Sequence, residues 1–266
     1  MSLFSIWPQF GFRENPYDND RLPGDEVGHR LLVGRDKEVA AVQRAIASDG
    51  THPCIEGPAG IGKTSMLAVA GYRMQLASVK AEAGTLYVPV QRFFQVGESQ
   101  PDFEEEVFRE VAQTLIDNAD AFRRSALEVP DIEQLNRWLN SPQFSSGGAQ
   151  LFGAGASLGS EPNSSDGFTK SGFPNAVRGE LQKCFPTAGA GAVVCVLDNL
   201  ELLQTSQRAR ETLEGLRNRV FDVPGIRWVL CGSRGIVSRA RSERLSGFFA
   251  APLELGPLSD EAAIEL

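Results

Sequence analysis

The chain has 266 residues, 42% hydrophobic and 23% charged, with a formal net charge of −8. These are the proportions of an ordinary globular protein with room for a substantial core, in one large domain or two small ones. The acidic balance argues against an extended nucleic-acid footprint, and the sequence shows neither a membrane-spanning run nor a basic, apolar leader, so the default expectation is a cytoplasmic protein without a membrane partner.

Residues 1–30 are rich in Pro, Gly, Asn and aromatic side chains and lack a sustained period, which predicts an irregular lead with short turns. The ordered core is expected over residues 31–255. It opens with an amphipathic helix in LLVGRDKEVAAVQRAIAS, where Val39, Val42 and Ile46 recur at helical spacing and Asp36 and Glu38 lie in the first turn. The short apolar run PCIEG then reads as a strand.

Directly after it, GPAGIGKTS (Gly57 to Ser65) has the spacing of a phosphate-binding loop, a glycine followed after four residues by Gly-Lys-Thr. In such a loop successive backbone N–H groups turn inward around phosphate oxygens, which makes Gly57, Pro58, Ala59, Gly60, Ile61 and Gly62 candidate binding positions. Lys63 is expected to reach the β- and γ-phosphates, Thr64 to ligate magnesium and Ser65 to touch the α-phosphate. The helix that starts here, with Met66, Val69, Ala70 and Met74 on its apolar side, points its positive end at the anion.

A strand in GTLYVPVQ follows, then a helix in PDFEEEVFREVAQTLIDNADAF, whose Phe103, Val107, Val111 and Leu115 share one stripe. Alternating strands and helices call for a parallel sheet covered on both faces. Residues 140–172 break the pattern with a run dominated by Gly, Ser and Asn, expected to be a mobile insertion or a weak hairpin. Order resumes with a short helix in NAVRGELQKCF and with GAVVCVLDNLE, where Val193 to Leu197 form the continuous apolar run of a strand buried on both faces. A helix in QRARETLEGLRNRVF and strands in RWVLCGSR and APLELG bring the strands to five.

Asp198 stands at the carboxyl end of that buried run, where ligands sit in open α/β sheets. A hydrated magnesium shared with Thr64 would match it; the alternative is an Asp that caps a helix through NLELL. Asn199 can orient a water but cannot accept its proton, so Glu201 is either the nearest candidate base or a solvated helix residue. Ser233 and Arg234 end the next strand, placed to contact water or the γ-phosphate and to stabilise charge in transfer. Arg239, Arg241 and Arg244 read as a solvated face, as an arginine finger for a neighbouring subunit, or as contacts to DNA phosphates. The scattered Cys54, Cys184, Cys195 and Cys231 read as small buried hydrophobes, which argues against zinc and disulfides, and His29 and His52 leave little material for a histidine site.

From about Leu31 to Leu266, the glycine-rich insertion apart, these segments resemble the AAA+ and STAND branch of P-loop ATPases. LLVGRDKEV is similar to the segment that precedes the first strand in initiator and STAND ATPases and lines the adenine, so the resemblance makes Val33, Gly34 and Arg35 base-pocket candidates. GPAGIGKT resembles the Walker A motif, VVCVLDNLE the Walker B motif and WVLCGSR the sensor-one strand. LELGPLSDEAAIEL resembles the last core strand and the first helix of the family's helical lid, which on this reading starts at residues 256–266 and is truncated.

The resemblance implies a three-layer α/β core with a mainly parallel five-stranded sheet in the order 5-1-4-3-2, ATP and magnesium as ligands, and a switch between closed and oligomeric states. Asn199 stands where many AAA+ members carry Glu, which implies slow hydrolysis. The leading expectation is an ATP-driven switch module of a larger signalling or defence protein that forms a homo-oligomer, with DNA or a partner protein engaged through further domains. A DNA-associated helper ATPase of transposition or replication type and a non-hydrolysing nucleotide-binding scaffold are the alternatives. A small-molecule kinase is disfavoured because no Arg-rich lid sequence follows the core.

Overall fold

The computed structural model describes residues 7–11, 21–48, 50–96, 100–141, 172–203, 206–240 and 245–265. Apart from Asn140, Ser141 and Gly172, the glycine-rich stretch lies outside these residues, as do Arg241 and Arg244. Five strands are β1 Cys54–Glu56, β2 Leu86–Pro89, β3 Gly191–Leu197, β4 Ile226–Gly232 and β5 Leu253–Glu254. They pair in parallel in the order β2-β3-β4-β1-β5, the expected order read from the other edge.

Helices cover both faces, and the strand sequences follow from that. On one face pack α2 (Asp36–Ala47) and α3 (Lys63–Ala81), whose Val39, Val42, Ile46, Met66 and Met74 meet Val194 and Val196 of β3. On the other pack α4 (Gln100–Asp117), α7 (Phe173–Cys184) and α8 (Ser206–Leu216), which meet Val193, Cys195 and Leu197 of the same strand. Alternate side chains of a strand point to opposite faces, so a strand covered twice must be apolar at every position, and all seven residues of β3 are buried.

Several short elements depart from the sequence reading. The lead contains α1 (Glu26–Leu31), started by Asp25, whose carboxylate accepts from Val27 N at 2.8 Å and Gly28 N at 3.0 Å. The helix expected from Pro101 to Phe122 is two helices, α4 and α5 (Ala119–Arg124), parted at Asn118, whose side-chain amide donates to Thr114 O at 2.8 Å. An unforeseen α6 (Ile132–Leu139) is capped by Asp131, which accepts from Gln134 N at 2.9 Å, and buries Leu135 and Trp138. Within the arginine-rich stretch lies an unforeseen α9 (Ile236–Ala240), whereas α10 (Asp260–Glu265) lies beyond β5 where a helix is expected. The four cysteines are buried, as expected of small hydrophobes.

At the amino edge of the sheet, His52 ties β4 to the turn that ends α8. Its Nδ1 accepts from Trp228 N–H at 3.3 Å, which leaves Nε2 to donate to Phe221 O at 2.9 Å. The ring is therefore held neutral, and burial lowers its pKa from 6.5 to about 4. An unfolded chain binds this proton first, so the stabilisation is complete above pH 6.5 and is lost as the pH falls from there through about 4. Urea unfolding between pH 7 and 4 should show a loss of up to roughly 3 kcal/mol from this group. A His52→Gln variant should be less stable at pH 7 and should show a flatter pH dependence.

Candidate nucleotide site

The site is assembled where β1, β3 and β4 end. After Glu56 the chain turns through Gly57–Gly62 and enters α3 at Lys63. A Cβ on Gly57 would stand 2.8 Å from Leu255 O, so glycine is what allows β5 to close on the loop, and Gly62 enters the helix with φ 89°, a left-handed value that favours glycine. Lys63 is 8% exposed, and its ammonium donates to Gly57 O at 3.0 Å and Pro58 O at 2.9 Å, which places the charge in the mouth of the loop.

Thr64 is the next residue, and its hydroxyl donates to Asp198 Oδ2 at 2.8 Å across 134 residues of sequence. Asp198 is 4% exposed, and its other oxygen accepts from Asn199 N at 2.8 Å. That second bond stays within the turn ahead of the 3₁₀ segment and reaches no helical N–H, while Oδ2 faces the loop. Cys231 of β4 completes the surroundings: burial first, and then the adjacent Asp198 carboxylate, push its thiol well above the ordinary range.

Asn199 has φ 57°, a left-handed conformation that asparagine tolerates better than other residues with a Cβ. This turn sends the chain into a short 3₁₀ segment, Leu200–Leu203, and brings Glu201 back over the sheet. Glu201 Oε2 accepts from Ser233 N–H at 3.0 Å, so this carboxylate joins the end of β3 to the end of β4. Arg234 is paired with Glu254 of β5 at 3.0 Å at the surface, both side chains being largely exposed. Arg239 is exposed, and its guanidinium lies against Gly235.

The flanking candidates divide. Gly34, with φ 70°, carries Ala262 of α10 on its open side, so that a Cβ there would lie 2.3 Å from the Ala262 Cβ. The two segments that the resemblance assigns to the base pocket and the lid therefore touch, with Val33 half-buried beside them. Arg35 is 4% exposed and braces the loop from behind, donating to Ile61 O at 3.2 Å and pairing with Glu38 at 3.2 Å. Ser65 Oγ accepts from Leu22 N–H at 3.0 Å and so pins the lead to the first turn of α3, a contact that no pattern in the sequence announces.

Thr64 and Asp198 offer hard oxygen donors of the kind magnesium takes alongside water and phosphate oxygens. Among the described residues no group of three or more His, Cys, Asp or Glu side chains could hold a metal unaided, and no helix is long and apolar enough to cross a membrane. Hollows of about 470 Å³ and about 690 Å³ lie away from the loop, at the amino edge near His52 and along α4. The loop site is defined by backbone and charge rather than by volume.

A parallel sheet in this order, with a glycine loop between β1 and a helix and a buried carboxylate at the end of β3, defines a P-loop nucleoside-triphosphatase fold. The chain belongs to the AAA ATPase domain family, whose sequence profile matches residues 31–222. No curated protein matches it by sequence. Among solved structures it is similar to the Aeropyrum pernix Orc1 protein in complex with DNA, at 13% identity and a TM-score of 0.48 over 90% of this chain and 50% of that one. It is also similar to a Walker-type ATPase of Pyrococcus abyssi, at 14% identity and a TM-score of 0.45 over 93% of this chain and 59% of that one.

The left-handed turn at Asn199 should be needed for folding. Asn199→Gly should keep the parent stability, whereas Asn199→Val should lose about 1–2 kcal/mol in urea unfolding, because a β-branched side chain is strained there.

Proposed function

We propose that this chain binds ATP with magnesium, hydrolyses it slowly, and serves as an AAA+/STAND-type switch module of a larger signalling or defence protein whose nucleotide state controls self-association. The observation that carries this reading is the 2.8 Å bond between Thr64 and Asp198 at the end of the loop whose carbonyls hold the Lys63 ammonium. On this reading the main chain of Gly57–Gly62 surrounds the phosphates, and Lys63 exchanges two carbonyl partners for β- and γ-phosphate oxygens. Ser65 lies next to the α-phosphate, while Val33 and Gly34, with α10 above them, flank the base.

Thr64 and Asp198 would hold the magnesium ion, which when bound neutralises phosphate charge. Glu201, with Asn199 before it, would position the attacking water and accept its proton, and Ser233 shares that edge of the site. Asn199 in place of a second carboxylate supports slow turnover. Arg234 must leave Glu254 to act on transferred charge, and Arg239, exposed on α9, is a candidate for the finger role toward a neighbouring copy. Arg241 and Arg244 are further candidates for that role. A switch of this kind needs only a small difference in lid contact between nucleotide states, and Gly34 against Ala262 is such a contact.

Calorimetric titration with ATP and magnesium, together with phosphate release, tests the reading. Lys63→Ala should weaken binding by about ten- to a hundredfold, the range for loss of a charge-assisted contact, and unchanged affinity would refute the phosphate role. Asp198→Ala should keep much of the binding and lose magnesium-dependent turnover. Glu201→Gln should lower turnover by about a hundredfold or more if this residue takes the proton, and should leave it at the parent rate if it only anchors Ser233.

A further inference from the structure

We propose that Glu56 is a positioning residue: its buried carboxylate ties the phosphate loop to α9, so that occupancy of the loop is transmitted to the helix that carries Arg239. The inference rests on the nucleotide-binding reading and concerns a residue outside the loop motif.

Glu56 is the last residue of β1 and is 2% exposed. Burying a carboxylate costs several kcal/mol unless its lone pairs are met. Both oxygens are met by a single residue: Oε1 accepts from Ser238 N–H at 2.7 Å and Oε2 from the Ser238 hydroxyl at 2.8 Å. Both donors belong to Ser238 and neither is a basic side chain. Cys54 and Ile55 before it are apolar, and an apolar residue at 56 would extend the core without the desolvation cost. The carboxylate instead fixes one helix against one strand end in one register.

Both ends of this link lead into the site. Glu56 is bonded to Gly57, and the carbonyls of Gly57 and Pro58 are those that Lys63 holds. When the ammonium turns to an anion, the restraint that changes is the one adjacent to Glu56. In the sheet Glu56 lies in register with Gly232, one residue before Ser233, so the strand end under Glu201 is fixed to the same point. At the far end Ser238 precedes Arg239, whose carbonyl accepts from Arg210 of α8 at 2.9 Å.

Amide hydrogen exchange of the full chain, with and without a non-hydrolysable ATP analogue and magnesium, tests the link. In the parent the analogue should slow exchange both in residues 63–81 and in residues 236–240. Glu56→Met, of similar length but without acceptors, should keep the protection of 63–81 and lose the response of 236–240. Glu56→Gln, which can accept from Ser238 N and donate to its hydroxyl, should retain that response. Ser238→Ala, at an exposed residue that leaves the core intact, should lose at least half of it. The link is overturned if the α9 response survives in Glu56→Met, or is absent in the parent while α3 is protected. Absence of α3 protection in the parent overturns the nucleotide reading itself and this inference with it.

Discussion

The hydrogen bond from Thr64 to Asp198 is the constraint around which the site is organised. It joins the start of α3 to the end of β3, although β3 is not a neighbour of β1; β4 lies between them. The two residues can meet only if the sheet is in this order and the loop after β1 folds back over the strand ends. One side-chain contact therefore reports the whole topology. It also brings a hydroxyl and a carboxylate together at the end of the loop whose carbonyls hold the buried Lys63 ammonium.

The rest of the molecule holds those strand ends still. Two layers of helix bury β3 completely, and Glu201 fastens the turn after β3 to the end of β4. Glu56 fastens β1 to α9, Arg35 holds the loop from behind, and Ser65 keeps the lead against α3. Each of these is a polar contact between segments far apart in sequence, made at the carboxyl edge. The opposite edge has its own tie in His52, which is neutral and takes no part in the site.

Much of this was legible in the sequence, for identifiable reasons. Long periodic segments announced α2 and α3, and the apolar run at Val193 to Leu197 announced a doubly covered strand, because burial on two faces leaves no polar position. The loop glycines, Lys63, Thr64 and Asp198 were legible as a candidate site because the phosphate-loop pattern sets residue types at fixed spacing. What escaped was short or long-range. α1 and α6 are too brief for a period to stand out, although Asp131 followed by Gln134 is a start signal that could have been used. The break at Asn118 arises from one side-chain bond to Thr114. The partners of Glu56, Ser65, Arg35 and Cys231 lie tens to nearly two hundred residues away, and local pattern carries no information on them.

The cysteines have a practical consequence. Each sits on a different core element, Cys54 on β1, Cys184 on α7, Cys195 on β3 and Cys231 on β4, and burial suppresses the reactive thiolate at the last three. Alkylating reagents must wait for the surrounding layer to open. The order in which the four sulfurs become modified is thus an internal clock of how the layers come apart, readable by mass without adding any label to the chain.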